Sequence, residues 1–310
     1  MTITQLEYII GVDTHKSFAK AATHCYVSQP ALSMQIKKIE DELGVMIFDR
    51  SKKPVITTDI GEKIVSHARV ILREVDRMSE IIKEQKDQIG GDLRIGIIPT
   101  LSPYLLPLFV THFIEKYPDV NLVFEELLTE EIIGKLNNDL LDVGILVTPI
   151  NNKSIVEMPL FYEGFIVYGA SDNPLMNKKQ ILVSDLNINE MWLLKKGHCF
   201  RLQTLNICSD QHPDDNRRIK FESGSLETLK KIVEGRFGYT LLPELAIMDM
   251  DAERRKNIRS FKAPMPIREV SMITHRSFVK RSLIEALQEV IMENIPAELK
   301  DKDRGTLIDL

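Results

Sequence analysis

Cys199 and Cys208 stand nine residues apart, the first inside the run Lys195-Lys196-Gly197-His198-Cys199-Phe200-Arg201. A thiolate, not a thiol, is the nucleophile, and cationic neighbours favour it. An ordinary thiol is only about 3% ionised at neutral pH, so lowering its pKa to about 6 raises the reactive fraction roughly thirtyfold. Lys195, Lys196, His198 and Arg201 are the cations that the sequence places nearby. The turn at Gly197 before an apolar segment also predicts a helix start at Cys199, where the helix dipole adds to their effect. A second thiol close by can trap an oxidised first one as a disulfide. If residues 199–208 are helical, their Cα atoms lie about 13 Å apart. A disulfide needs roughly 4.4–6.8 Å. Oxidation must then unwind or fold back the segment, and closing a loop of about ten residues removes about 2.7 kcal/mol of chain entropy. The pair reads as a redox switch. The third cysteine, Cys25, falls beside His24 among packing residues and reads as a core thiol.

Composition limits what surrounds this pair. A chain of 310 residues, 44% hydrophobic and 27% charged, is expected to fold into two or three globular domains. No N-terminal basic-plus-apolar stretch reads as a signal peptide and no apolar run is long enough for a bilayer, so a cytoplasmic protein is expected, with no membrane partner. Three cysteines argue against a disulfide framework. A net charge of −5 excludes a generally basic nucleic-acid binder, leaving local clusters such as Lys37-Lys38 and Arg50-Ser51-Lys52-Lys53. Nothing calls for a cofactor or a metal.

The elements are legible from period and punctuation. Residues 1–57 read as three short helices and a small hairpin wing. Ser28 is a plausible N-cap with Pro30 in the first turn, and Leu32, Ile36, Ile39 and Leu43 form one stripe that must be buried before Gly44 ends the helix. Two short apolar runs, residues 45–48 and 55–57, flank a turn. Residues 58–89 predict one long helix with Ile64, Ala68, Ile71, Val75, Met78 and Ile82 alternating four and three apart. That is a two-helix seam, since Arg73, Glu74, Arg77, Glu80, Lys83 and Glu84 crowd the other face. Gly90-Gly91 mark its end as a hinge.

Residues 90–310 then alternate strand and helix. Strands are expected at 93–98, 121–127, 143–147 and 239–242, and helices at 107–117, 130–138 and 226–234. This predicts parallel sheets with crossover helices in two lobes, the second at about 163–268, with a ligand cleft between them. The polar tract 209–218 reads as a mobile loop, and the charged last fifteen or so residues are expected to fray.

Several stretches together resemble one family. Ser17-Phe18-Ala19-Lys20-Ala21-Ala22, Val27-Ser28-Gln29-Pro30-Ala31-Leu32-Ser33, Ile39-Glu40-Asp41-Glu42-Leu43-Gly44 and Phe48-Asp49-Arg50 resemble the signature of LysR-type transcriptional regulators. Further on, Ile95-Gly96-Ile97-Ile98-Pro99-Thr100, Gly197-His198-Cys199, Cys208, Ser225-Leu226-Glu227-Thr228-Leu229 and Thr240-Leu241-Leu242-Pro243 are similar to the peroxide-sensing members of that family. The resemblance implies an N-terminal winged helix-turn-helix, a long linker helix, and a two-lobed α/β regulatory domain like periplasmic binding proteins. It implies double-stranded operator DNA, hydrogen peroxide and RNA polymerase as partners, thioredoxin or glutaredoxin as reductant, and homodimers assembling into homotetramers.

The resemblance also assigns residues. Cys199 becomes the peroxide-reactive thiol and Cys208 the resolving one, with Thr100, Thr129, His198 and Arg268 as the surrounding donors. Thr100 and Thr129 each directly follow an expected strand, which suits a pocket lining. In the third helix Gln29, Pro30, Ser33, Met34 and Lys37 face outward toward the major groove. Gln29 has the geometry for adenine, Lys37 for guanine or phosphate, and Met34 only for a thymine methyl. Arg50 and Lys52 in the wing are expected on phosphates, which position without specifying. Two rivals remain: a regulator answering a small effector in the interlobe cleft, or a thiol peroxidase, for which residues 1–89 have no use. A regulator, not an enzyme, is the expectation.

Overall fold

The computed structural model describes residues 1–84, 89–208, 221, 223–235, 238–278 and 280–309. The expected loop at 209–218 lies outside these. The chain divides into two compact units, residues 1–88 with 277–281, and residues 89–276 with 282–310.

The first unit contains α1 (Ile3–His15), α2 (Phe18–His24), α3 (Gln29–Leu43), the strands β1 (Phe48–Asp49) and β2 (Ile56–Thr57), and α4 (Asp59–Glu84). Each short helix starts on a hydroxyl. Thr2, Ser17 and Ser28 accept from backbone amides three residues on, which satisfies one orphan donor each. Leu32, Ile36 and Ile39 of α3 are fully buried against Leu6, Ile9, Val12, Ala21 and Phe48. Leu43 does not join them. It is 43% exposed, because the helix stops at Gly44 and the chain turns outward through the exposed Met46. The wing pairs Phe48 with Thr57 and Asp49 with Ile56. Glu40 ties it to α3, accepting from the amides of Ile47 at 2.9 Å and Phe48 at 3.1 Å. On α4, Ala68 is buried in this core while Ile71, Val75 and Met78 are exposed. Ile82, Arg77, Glu80, Lys83 and Glu84 lie outside the described side chains.

The second unit runs β3 (Gly91–Ile97), α5 (Ser102–Lys116), β4 (Val120–Glu126), α6 (Thr129–Asn137), β5 (Val143–Thr148), β6 (Ile155–Gly169), α7 (Cys199–Ile207), α8 (Leu226–Glu234), β7 (Tyr239–Pro243), α9 (Ala252–Arg255), β8 (Ile258–Ser260), β9 (Met265–His275), α10 (Arg281–Asn294) and β10 (Gly305–Leu307). Strand order is β4-β3-β5-β9-β6-β7, with β10 on β9 and β8 on β6. The expected parallel pairing holds for β3 with β4 and β5. Elsewhere it is corrected: β9 pairs antiparallel with β5 and β6, and β6 antiparallel with β7 and β8. The reason is length. β6 and β9, of 15 and 11 residues, run past the end of the first lobe's strands and carry the pairing on into the second lobe without a crossover helix. Their register shifts between Pro159 and Phe161, where a proline has no amide to give the ladder.

The chain end is likewise not frayed. β10 pairs parallel with β9, Ile308 donates to the Ile267 carbonyl at 2.9 Å, and Leu299 is buried. Gly305 permits this close approach, since a Cβ there would fall 2.2 Å from the Met265 carbonyl oxygen. Among the described residues no helix is long and apolar enough to cross a membrane.

Candidate functional site

The two cysteines bracket α7, with Cys199 as its first residue and Cys208 as its C-cap. Both thiols are free and buried. Gly197, at φ +96°, makes the turn into the helix, and a Cβ there would press on Leu128 at 3.2 Å. That contact brings the start of α7 against the start of α6, where Thr129 is the first residue. The Thr129 hydroxyl lies close enough to the Cys199 sulfur to favour its thiolate, and its oxygen has no other hydrogen-bond partner.

Arg268 enters from β9, fully buried. Its guanidinium carbon sits 5.0 Å from the centre of the Phe200 ring, and its Nη1 donates to Thr100 Oγ1 at 3.2 Å. Directly across the strand pair stands Glu163 of β6. Its Oε1 accepts from Arg268 Nε at 2.9 Å and from Nη2 at 2.6 Å. Glu163 is equally buried and its Oε2 accepts from the Leu245 amide at 3.3 Å. The structure thus brings Thr129 and Arg268 to the Cys199 sulfur, with Thr100 behind them on Arg268.

The electrostatics differ from the expectation drawn from neighbouring cations. Burial pushes the Cys199 thiol above its ordinary value, outweighing Arg268, the Phe200 and Cys199 amides and Thr129, which all pull it down. Lys195 and Lys196 are exposed, and Arg201 Nη1 donates to the Leu194 carbonyl at 2.8 Å. His198 is buried, and its imidazole is held below the ordinary value by desolvation and then by Lys195, so at neutral pH it is uncharged. Its Nε2 lacks a hydrogen-bond partner. Cys208 is pushed up to about 11 by burial alone. Cys25 is partly buried against the core of the first unit, and burial raises its thiol too. Among the described residues no cluster of three or more His, Cys, Asp or Glu is arranged to hold a metal.

In the first unit, Gln29, Pro30, Met34, Lys37 and Lys52 are exposed and Ser33 is half-buried. Arg50 is already engaged: its Nη2 pairs with Glu40 at 2.7 Å, its Nη1 donates to Ser33 Oγ at 2.9 Å, and it covers the Phe18 ring. Two residues escaped the sequence reading. Glu163 lies far from any motif. Tyr26, in the turn before α3, is 96% exposed and adopts a left-handed φ of +55°. A bulky aromatic in that conformation with nothing covering it is a functional signal.

Comparison with known proteins bears on both units. The family model described as a bacterial regulatory helix-turn-helix protein of the LysR family matches residues 3–62, and the LysR substrate binding domain matches residues 86–296. A hydrogen peroxide-inducible genes activator of Dickeya chrysanthemi is 33% identical, over 97% of this chain and 98% of that protein. The DNA-binding transcriptional dual regulator OxyR of Escherichia coli is 35% identical, over 94% and 95%. The solved structure of full-length OxyR C199D from Pseudomonas aeruginosa superposes with a TM-score of 0.79 at 35% identity, covering 95% of this chain and 99% of that one. A winged helix-turn-helix followed by a sheet domain with a buried cysteine-headed helix, matched over both parts, places this chain in the LysR family of transcriptional regulators, beside the OxyR proteins.

Proposed function

We propose that this regulator is switched by hydrogen peroxide through Cys199 and Cys208. In this reading residues 1–57 bind double-stranded operator DNA, residues 58–89 dimerise, and residues 90–310 sense the oxidant. The Cys199 thiolate attacks one peroxide oxygen, the O–O bond breaks, and the departing hydroxide takes a proton to leave as water. Cys208 then displaces the hydroxyl of the Cys199 sulfenic acid, forming the S–S bond and releasing a second water. The Thr129 hydroxyl and the Arg268 guanidinium orient the oxidant and stabilise the leaving oxygen, with Thr100 holding Arg268 and neutral His198 beside the sulfur. The resting thiol, raised by burial, makes these donors more important than bulk ionisation.

One observation carries the reading: two buried sulfurs at opposite ends of one helix, the first facing Thr129 and Arg268. Nine residues of helix hold the Cα atoms about 13 Å apart, so the disulfide demands a different local fold. Such a bistable segment is what a switch needs. The exposed Ile71, Val75 and Met78 support a dimer seam on α4. Homotetramers on DNA, contact with RNA polymerase, and reduction by thioredoxin or glutaredoxin complete the reading. Gln29, Pro30, Ser33, Met34 and Lys37 face bases, with Lys52 on phosphate and Arg50 bracing Ser33 and Glu40.

Operator footprinting of reduced and stoichiometrically oxidised full-length protein tests it. The footprint should change in the wild type with loss of two hydrogens by mass spectrometry, and should stay fixed in Cys199→Ser. A Cys199→Ser protein that still responds would favour an effector in the interlobe cleft. Sustained peroxide consumption with thioredoxin would favour a peroxidase.

A further inference from the structure

The buried ion pair beneath the redox helix has a consequence for the threshold of the switch. We propose that Glu163 is a positioning residue for the peroxide reaction: paired across the strands with Arg268, it sets how much of the guanidinium's positive field reaches the Cys199 sulfur. The inference rests on the peroxide-sensing reading above and deepens it.

Arg268 and Glu163 are direct cross-strand partners, both with no solvent exposure. In such a setting charges act at short range with little screening. Two of the guanidinium's N–H groups are given to Glu163, and a third donates to Thr100. The carboxylate therefore fixes the plane of the guanidinium against Phe200, the residue after Cys199, and offsets its charge. Glu163 is itself held by the Leu245 amide. The charged and titratable groups facing it are Arg268 from β9, Glu244 from the turn after β7, and Tyr104 from α5, with Glu244 in turn paired to Arg304 at 2.8 Å. The charged group acting on the sulfur is Arg268, with the Thr129 hydroxyl beside it. A glutamine at 163 keeps an acceptor for Arg268 but removes the opposing charge. If Glu163 only satisfied a buried arginine, that change would leave the sulfur's titration where it was.

The experiment uses full-length protein with Cys25 and Cys208 replaced by serine, leaving Cys199 as the single thiol, and follows iodoacetamide alkylation against pH. Glu163→Gln should move the midpoint to lower pH and raise the rate at pH 7 by about tenfold. The same change in an Arg268→Gln background should have little effect, because without the paired guanidinium burial keeps the Glu163 carboxyl uncharged and glutamine then removes no charge. An unmoved midpoint in a folded Glu163→Gln protein overturns the proposal. If Glu163→Gln does not fold, Glu163→Asp keeps the charge but draws it back from Arg268, and should speed alkylation two- to threefold; an unchanged rate overturns the proposal there. Alkylation needs no peroxide, so failure of the sensing reading is seen separately, as a wild-type protein whose thiols survive oxidant.

Discussion

Replacing Leu202 by glycine should tilt the Cys199–Cys208 couple toward the disulfide. Leu202 sits inside α7 and is 50% exposed, so the change weakens the helix while removing little core. Glycine in a helix interior costs about 0.7 kcal/mol relative to leucine. The disulfide form cannot keep the helix, because nine residues at 1.5 Å each hold the ends about 13 Å apart where bonding needs roughly 4.4–6.8 Å. The cost therefore falls on the reduced state alone. For a two-electron couple about 1.4 kcal/mol corresponds to 30 mV, so the midpoint should become more negative by about 15 mV. Any lost packing of the half-exposed side chain acts in the same direction. The assay equilibrates the protein in graded dithiothreitol buffers and counts free thiols by maleimide mass shift, with Leu202→Ala as the helix-preserving comparator. Equal midpoints for the glycine and alanine variants, or a more positive one for glycine, would refute the claim that the helix opposes the bond.

Three other outcomes are expected. Because burial raises the Cys199 thiol, its oxidation rate by peroxide should keep climbing past pH 9 and not level off near neutrality, as followed by acid-quenched mass spectrometry. In the first unit, burial pushes Asp13 up but hydrogen bonds from Lys16, Thr57 and Arg69 outweigh it and hold the carboxyl below the ordinary range. Its stabilisation is thus full above an unfolded value of about 3.9 and is lost as pH falls through the folded one. Asp13→Asn should cost about 3 kcal/mol in urea unfolding at pH 7, since it removes the carboxylate that pairs with the buried Arg69, and should flatten the acid limb. Tyr26→Ala should leave the melting temperature within a degree or two while weakening operator binding about tenfold in a gel-shift titration, a tenfold loss being about 1.4 kcal/mol.

Local periodicity and capping made much of this molecule legible in advance. The α3 stripe at Leu32, Ile36 and Ile39, the bounds of α8, and the placement of Cys199 and Cys208 at the two ends of one helix all follow from residues within a turn or two of each other. What failed depends on partners remote in the chain. Glu163 and Arg268 are 105 residues apart and meet only through strand register, so no local pattern marks the pair. The cations beside Cys199 in sequence, Lys195 and Lys196, point to solvent, and burial decides the thiol instead. The antiparallel course of β6 and β9 hides behind runs that read equally well as parallel strands, and β10 is too short and polar to announce itself.

The last strand also bears on how often the device can act. Gln203 and Asn206, one turn apart on α7, donate to the carbonyls of Ile308 and Asp309, each at 3.0 Å. Those carbonyls follow β10, which lies along the segment of β9 leading into Arg268. Unwinding α7 to join the sulfurs releases both amides, and with them the clamp on the strand that seats the guanidinium. On the proposed switch, a molecule that has fired thereby loosens the strand that seats its own Arg268. It must be reduced and refolded locally before it answers a second oxidant, so each protein counts a single event.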